Sequence, residues 1–452
     1  MRVRLMLPLV AILTACAPAT PREMASRAQF ADSTLPPMKA FATSQVTPPE
    51  RSNRDLALDF IELSFQLESG RQLPVFTRFE GPITVRVTGT APGTLGPDLK
   101  RLITRLRREA GIDIALTTRR NAGITIEAVS RKEIRQMLPQ AACFVAPNVG
   151  SLQEYRAARR KPHTDWTILQ RRDRIAIFVP NDASPQEVRD CLHEELAQAI
   201  GPLNDLYRLP DSVFNDDNVH TVLTGFDMLI LRAYYDPALR SGMTRGQVAA
   251  ALPLILARIH PAGERRQARL ATRTPRAWSE AIQTALGRSA SFSARVNAAN
   301  RAIRVAASMG WTDHRRAFSH YALGRVLQAR DPQAAYAHYL TADSFYGKHP
   351  DAALHRAYVG TRLAAYAVTR ADGEEALRLI APHIRTARVN ENAALLATLL
   401  LLRAEALEQT GRIAEARSVR LDSIGWARYG FGADWAVRAK LSEIASLNPL
   451  KG

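Results

Sequence analysis

Two adjacent glutamates and several polar residues follow one another at regular intervals near the middle of the chain. The segment is Glu194-Glu195-x-x-Gln198-x-x-Gly201-x-x-Asn204. Residues four apart lie on one face of a helix, so Glu194 and Gln198 share a face, and Gly201 allows the chain to turn before Asn204. A carboxylate and two amides beside a second glutamate are candidates for metal binding or for general acid and base catalysis.

The residues just before this segment predict the helix that carries it. Ser184 is a candidate N-cap, Pro185 suits the first helical position, and Glu187 completes a capping box. Apolar residues then recur at helical spacing until Gly201 and Pro202. We therefore expect a helix that begins after the N-cap and ends at the glycine.

The spacing of the segment resembles the zinc-binding signature of the metzincin proteases, H-E-x-x-H-x-x-G-x-x-H followed by a Met-turn. Glu194, Gln198 and Asn204 stand at the three histidine positions, whereas the general-base glutamate (Glu195) and the turn glycine (Gly201) are kept. The resemblance implies an α+β, zincin-like (metzincin-type) domain whose metal site has been replaced.

Segments farther along the chain extend the resemblance. Residues 212–215 stand where a metzincin has its Met-turn, with Ser212 at the start and Phe214 in place of the methionine. Residues 223–236 resemble the closing helix of matrix-type metzincins. The resemblance covers residues 60–261, and the chain is similar to a bacterial envelope lipoprotein family known as a domain of unknown function near the metallopeptidases.

The ligand chemistry argues against a zinc site. Catalytic zinc needs three nitrogen, sulfur or carboxylate ligands, whereas amide oxygens suit harder ions such as Ca²⁺, usually with more than one carboxylate. We therefore expect no metal or other cofactor, and we expect Glu194, Gln198 and Asn204 to hydrogen-bond one another. The acidic and amide residues that follow would extend this cluster or would simply be loop residues: Asp205, Asn215, Asp216 and Asp217.

The same segment suggests two other chemistries, a metal-free acid and base pair and an HExxH zinc motif. Glu194 and Glu195 are a candidate acid and base pair for a glycan without metal, but adjacent helical residues point about 100° apart. His193 precedes Glu194, yet the second histidine of an HExxH motif is missing because residue 197 is Ala197. We expect His193 to be a hydrogen-bonded structural residue.

The N-terminus resembles the signal peptide of a bacterial lipoprotein. A positively charged start and a short apolar run precede Leu13-Thr14-Ala15-Cys16, which has the form of a lipobox. We predict a signal peptide over residues 1–15, a lipid on Cys16 and a flexible tether over residues 16–52. Ala17 favours the outer membrane, facing the periplasm.

The two remaining cysteines are expected to pair. Cys143 and Cys191 lie in a compartment that the signal peptide predicts to be oxidising, so a disulfide is the default. Two free thiols and a metal-binding pair are the alternatives.

The composition limits the classes of partner. The chain has 452 residues and a formal net charge of +18. In the periplasm this charge does not indicate nucleic acid, and it fits acidic glycans, anionic lipid headgroups, an acidic protein or a solvated surface. The basic helix predicted over residues 97–110 is a candidate for docking to anionic lipid or glycan.

The last part of the chain is Ala-rich and helical in pattern. Three stretches each combine a helix, a short polar break and a second helix, with breaks at residues 331–332, 372–373 and 410–411. Their period of about 40 exceeds the 34 residues of a tetratricopeptide repeat, although the break chemistry resembles one. We predict a tetratricopeptide-like solenoid over residues 275–452, after a metzincin-like domain over residues 53–263, with a generic helical bundle as the alternative.

Two functions follow from this organisation. The first is an envelope lipoprotein with an inactive zincin-like domain, which binds a protein or peptide through its helical repeats. The second is a metal-dependent peptidase with zinc or another divalent metal at Glu194, Gln198 and Asn204, and with Glu195 as its base. Metal content and the effect of Glu195→Gln distinguish the two.

Overall fold

The computed structural model describes residues 33, 35–41, 47–269, 272–287 and 289–451. The predicted signal peptide over residues 1–15, the predicted lipidation site Cys16 and the sorting residue Ala17 lie outside the described residues. The described residues from 35 to 451 belong to one compact unit. Among the described residues, none of the helices is both long enough and apolar enough to cross a membrane.

A five-stranded mixed sheet forms the centre of the N-terminal region. Its strands are β1 (Ile83–Gly89), β2 (Ile114–Leu116), β3 (Ile124–Val129), β4 (Phe144–Pro147) and β5 (Ile175–Pro180), in the order β2-β1-β3-β5-β4. Strand β4 is antiparallel to β5, and the other pairs are parallel. Every residue of β5 is buried, as expected for an interior strand of a mainly parallel sheet.

Seven helices accompany the sheet in this region. They are α1 (Asn53–Ser64), α2 (Leu95–Glu109), α3 (Arg131–Met137), α4 (Leu152–Ala158), α5 (Pro185–Ile200), α6 (Gly225–Tyr234) and α7 (Arg245–Ile259). Helix α5 carries the candidate site residues and has the predicted bounds. The Ser184 hydroxyl accepts a hydrogen bond from the Glu187 backbone N–H, and Pro185 is the first helical residue.

Gly201 ends α5 where the chain passes very close to α6. A Cβ atom at this position would lie 2.5 Å from Cδ2 of Leu231. Because such a contact is far inside van der Waals distance, only glycine fits there without displacing the leucine. The turn glycine of the motif thus has a packing role.

The C-terminal region is all-helical. Its helices are α8 (Arg276–Leu286), α9 (Phe292–Ser308), α10 (His314–Leu327), α11 (Pro332–Tyr346), α12 (Ala353–Thr369), α13 (Gly373–Val389), α14 (Ala393–Gln409), α15 (Ile413–Phe431) and α16 (Asp434–Ala445). They pack in successive pairs, α8 with α9, α10 with α11, α12 with α13 and α14 with α15. The predicted sequence of a sheet-containing region and an all-helical region is therefore confirmed.

The helical region contacts the first half of α5. Arg189 is fully buried, and its Nη2 donates a hydrogen bond of 2.6 Å to the Glu391 carbonyl oxygen. The side-chain oxygen of Gln186 accepts a hydrogen bond of 2.9 Å from the backbone N–H of Ala394, at the start of α14. The helix that bears the candidate site is thus fixed to a segment about 200 residues away in sequence.

The segment after α5 contacts the same helical region at two buried histidines. Nε2 of His314 lies 2.7 Å from the Tyr207 carbonyl oxygen, and Nε2 of His355 lies 2.7 Å from Oδ2 of Asp217. These contacts place residues 205–217 between α5 and the first helices of successive pairs.

Residues 35–41, which belong to the predicted tether, lie against α15. The Phe41 ring stacks on Trp426 at a centroid distance of 4.6 Å, and the backbone N–H of Lys39 donates to the Gly425 carbonyl oxygen at 2.9 Å. Phe41 is buried. This part of the tether segment is therefore packed against the folded body.

Candidate functional site

The predicted site residues lie in the second half of α5 and in the turn that follows. Glu195, Gln198 and Asn204 are buried, and Glu194 is half-buried. Nδ2 of Asn204 donates a hydrogen bond of 3.0 Å to the Glu62 carbonyl oxygen at the end of α1. Asn204, at one of the three metal-ligand positions of the metzincin signature, therefore joins the segment after α5 to the end of α1.

Three carboxylates converge beside these residues. One oxygen each of Glu68, Asp205 and Asp216 lies within 4.8 Å of the other two, and we call these three residues the acidic cluster. Glu68 comes from the exposed turn after α1, Asp205 from the segment after α5, and Asp216 from the loop before α6. Carboxylates brought this close from three segments repel one another unless protons or a cation neutralise them.

The acidic cluster and the α5 glutamates influence one another electrostatically. Burial and the charges of Glu68 and Asp216 raise the pKa of Glu194 to about 7. Burial and the charges of Glu194 and Glu68 raise the pKa of Glu195 well above its usual range. Burial and the neighbouring charges therefore disfavour the ionised form of Glu195, which is the form that accepts a proton as a general base.

The acidic cluster lines a cavity of about 630 Å³ between the two regions of the body. Its walls include polar residues of the N-terminal region (Gln66, Glu68, Asn204, Asp205, Tyr207 and Asp216) and of the segment that leads into α8 and of α8 itself (Arg273, Arg276, Ser279 and Gln283). The cavity therefore offers hydrogen-bonding groups from both regions to one ligand.

The arginines of this cavity are paired with other acids. Arg208 and Arg273 both contact Glu62, at 2.5 Å and 2.6 Å. Arg276 pairs with Glu280 at 2.8 Å. In the part of the chain that the structure describes, no lysine, arginine or histidine forms an ion pair with the acidic cluster or with the two α5 glutamates.

The segment at the Met-turn position is part of the core. The Ser212 hydroxyl donates a hydrogen bond of 2.5 Å to Oδ1 of Asp227 and accepts one of 2.9 Å from the Phe214 backbone N–H. Phe214 is fully buried in the same apolar cluster as Leu196 of α5. Phe214 therefore packs in the core with α5, and neither Ser212 nor Phe214 lines the cavity.

Two residues near the start of the site helix are structural. His193 is buried, and its Nδ1 accepts a hydrogen bond of 3.0 Å from the Leu223 backbone N–H, in keeping with the role expected of it. Cys191 is joined to Cys143 with a Cα–Cα distance of 5.9 Å, so the predicted disulfide is confirmed.

Comparison with known proteins covers this part of the chain. Residues 53–254 match the family model Protein of unknown function (DUF2927). The match begins with α1, ends within α7 and contains the sheet, α5 and the acidic cluster. It supports the expected resemblance to a domain of unknown function. No curated protein and no solved structure matches the chain.

Glu68 lies in the matched region and is the member of the acidic cluster that no sequence motif indicated. It lies in a turn whose neighbours, Ser69 and Gly70, form no recognised motif, and more than 100 residues separate it from α5. Asp205 and Asp216 were among the residues expected to extend the polar cluster. Their role beside Glu68 depends on how α1 packs against the segment after α5.

The raised pKa of Glu194 predicts that the stability of the folded protein depends on pH. Glu194 ionises at about pH 4.5 in the unfolded chain and at about pH 7 in the folded protein. Between these values the folded state binds more protons, so its stability falls as pH rises, and the loss persists above pH 7. We expect Glu194→Gln to raise the free energy of unfolding at pH 8 by about 1–3 kcal/mol, and to have little effect at pH 4.

Thermal and denaturant melts in a chelator-containing buffer measure this effect. Glu280→Gln is the matched control, because Glu280 lines the same cavity but is exposed and paired with Arg276. Its effect is expected to stay within about 0.5 kcal/mol at both pH values. A Glu194→Gln variant that is less stable than the parent at pH 8 contradicts the prediction.

Proposed function

We propose that the protein is a cell-envelope lipoprotein that recognises another protein without hydrolysing it. In this proposal a lipid on Cys16 anchors the chain to the membrane, facing the periplasm. Residues 53–263 are a metzincin-like domain that has lost zinc hydrolysis, and residues 275–452 are a tetratricopeptide-like solenoid that contributes to partner binding.

The chemistry of the former ligand positions carries the proposal. Glu194, Gln198 and Asn204 provide one carboxylate and two amides, which are poor ligands for zinc. The Asn204 amide nitrogen is hydrogen-bonded to the backbone at the end of α1. The general-base position, Glu195, is buried, and burial raises its pKa well above its usual range, which disfavours the charged form that accepts a proton.

The arrangement of elements supports the two family resemblances. Strands β1, β3 and β5 alternate with α2, α3 and α5, which is the order of the upper half of a zincin, and β4 is an edge strand antiparallel to β5. In the helical region, Asp331 and Asp372, which lie in the polar breaks, cap the second helices of two pairs. Stacked helix pairs with such breaks are typical of α-solenoids.

The cavity between the regions supports recognition. It has a volume of about 630 Å³ and is lined by residues on both sides, including Asn204 on one side and Gln283 of α8 on the other. A segment of a partner that enters it would contact both regions at once. The helical region also contacts α5 through the buried Arg189, which donates a hydrogen bond to the Glu391 carbonyl oxygen.

Site-specific photo-crosslinking in cells tests the proposal. A photoreactive residue at Gln283, in the cavity wall, is expected to give a defined protein adduct in the envelope fraction. The matched control is the exposed Lys132 on α3, which does not line the cavity and is expected to give none. The adduct should keep its size and yield when Glu195 is replaced by Gln.

Two outcomes would overturn the proposal. Equal labelling at both positions, or none at Gln283, would remove recognition at this cavity. Partner fragments that vanish with Glu195→Gln would instead establish a peptidase with a non-standard metal site.

A further inference from the structure

The acidic cluster has the donor chemistry of a site for a hard cation. We propose that Glu68, Asp205 and Asp216 bind one Ca²⁺ ion at the base of the cavity, with Glu194 adding negative charge beside them. This site is distinct from the three positions that correspond to zinc ligands in the metzincin signature. The inference goes beyond partner recognition and holds whether or not the cavity receives a protein.

The distances between the donor atoms suit calcium. Ca²⁺ binds oxygen at about 2.3–2.6 Å, so two oxygens on one ion are separated by at most about 5 Å. The three carboxylate oxygens lie within 4.8 Å of one another. The donors are all oxygens, without the histidine or cysteine that zinc prefers, and bidentate carboxylates with water would complete a shell of six to eight ligands.

Amide groups contact two of these carboxylates, Gln198 at Glu68 and Gln283 at Asp216, but among the described residues no cation is paired with the cluster. Arg208, Arg273 and Arg276 are engaged by Glu62 and Glu280. Among the described residues, none of the arginines that line the cavity is left for the acidic cluster. Three acids drawn from three segments are therefore gathered at one point with no protein cation to neutralise them.

Buried oxygens without partners supply a second observation. Glu195 is only 5% exposed, and its Oε2 is buried without a hydrogen-bond partner among the described residues. The charges of Glu194 and Glu68 raise the pKa of this carboxyl, and the charge of Glu195 in turn raises that of Asp205. Oδ1 of Asp205, a member of the cluster, is also buried and unpartnered. Fixed buried acceptors of this kind indicate a missing cation or donor.

A bound ion would join three segments of the chain at one point. Glu68 follows α1, Asp205 follows α5, and Asp216 precedes Asp217, which contacts His355 in the helical region. Ca²⁺ at this point would therefore fix the floor of the cavity and the loop that joins it to α12.

Calcium titration of the full chain, purified in mild detergent and stripped with a chelator that is then removed, tests the proposal. We expect one Ca²⁺ site by calorimetry, with a dissociation constant of about 0.1 mM. Asp205→Asn and Glu68→Gln should each weaken binding at least tenfold. Glu280→Gln changes a paired carboxylate of the same cavity and should leave the affinity unchanged.

Melting temperatures provide a readout that distinguishes binding from folding defects. In chelator, Asp205→Asn should melt above the parent, because one repelling charge is removed from the cluster. In excess Ca²⁺ the melting temperature of the parent should rise by about 3 °C, and that of the variant should not change. The parent should then melt above the variant. If Asp205→Asn does not fold, Glu68→Gln provides the same test, because Glu68 lies in an exposed turn.

Several results would overturn the proposal. These are no heat of binding and no change in melting temperature with millimolar Ca²⁺, equal affinity in the parent and both cluster variants, or tighter binding of Mg²⁺ than of Ca²⁺. Stoichiometric zinc that is lost with Glu194→Gln but kept with Asp205→Asn would place a metal at the signature positions instead.

Discussion

Replacing Arg189 by methionine is expected to lower the free energy of unfolding by about 3 kcal/mol. The Arg189 side chain is fully buried, and its guanidinium lies 3.6 Å from the Glu391 carboxylate and over the Tyr429 ring at 5.3 Å. Removing it leaves the Glu391 carboxylate buried, and among the described residues Arg101, at 3.4 Å, is the cation that stays paired with it. Removal of one partner of a buried pair is costly because the other charge stays desolvated.

Chemical denaturation and calorimetry measure this loss. The matched control is Arg174→Met, because the Arg174–Glu154 pair is bidentate at 2.7 Å but exposed. Exposed pairs contribute little, so this control should cost less than about 1 kcal/mol. In the double variant Arg189→Met with Glu391→Gln, the total loss should be smaller than the sum of the two single losses. Equal losses in the buried and exposed variants would contradict the role assigned to Arg189.

Removal of the Cys143–Cys191 disulfide is expected to have an effect of similar size. The bond closes a loop with a sequence separation of 48, and the chain-entropy model gives such a loop about 4 kcal/mol. It ties the end of the segment before β4 to the buried first half of α5. We therefore expect the Cys143→Ala, Cys191→Ala variant to unfold at markedly lower denaturant concentration.

Reduction of the parent protein provides the control for this variant. A thiol reductant should bring the parent to the stability of the double-alanine variant and should leave the variant itself unchanged. A loss below about 1 kcal/mol on reduction would contradict the prediction, and would mean that the unfolded chain is not restricted by the cross-link.

Local features of α5 were predictable because they act within a few residues. Ser184 caps the helix through one hydrogen bond to Glu187, Pro185 suits the first turn, and Gly201 permits its end. The predicted bounds therefore agree with the observed helix. The polar breaks that cap α11 and α13 were recognisable for the same reason.

Other features depend on contacts between distant segments. Arg189 reads in the sequence as one more basic residue of a helix, and only the packing of α5 against residues 391–394 makes it a fully buried cation. Glu68 belongs to an unremarkable turn, and only the approach of α1 to the segment after α5 places its carboxylate beside Asp205 and Asp216. The resemblance to metzincins, the lipid anchor and the domain boundaries stay predictions.

The sequence by itself determined the site helix, its two ends and the order of a sheet region before a helical region. Caps, turn residues and side-chain periodicity specify these features through short-range hydrogen bonds and steric limits. The tertiary structure alone decided which charges are buried, which are paired and which are left together. Burial and charge pairing depend on distances between segments that are far apart in the chain, and no local pattern encodes those distances.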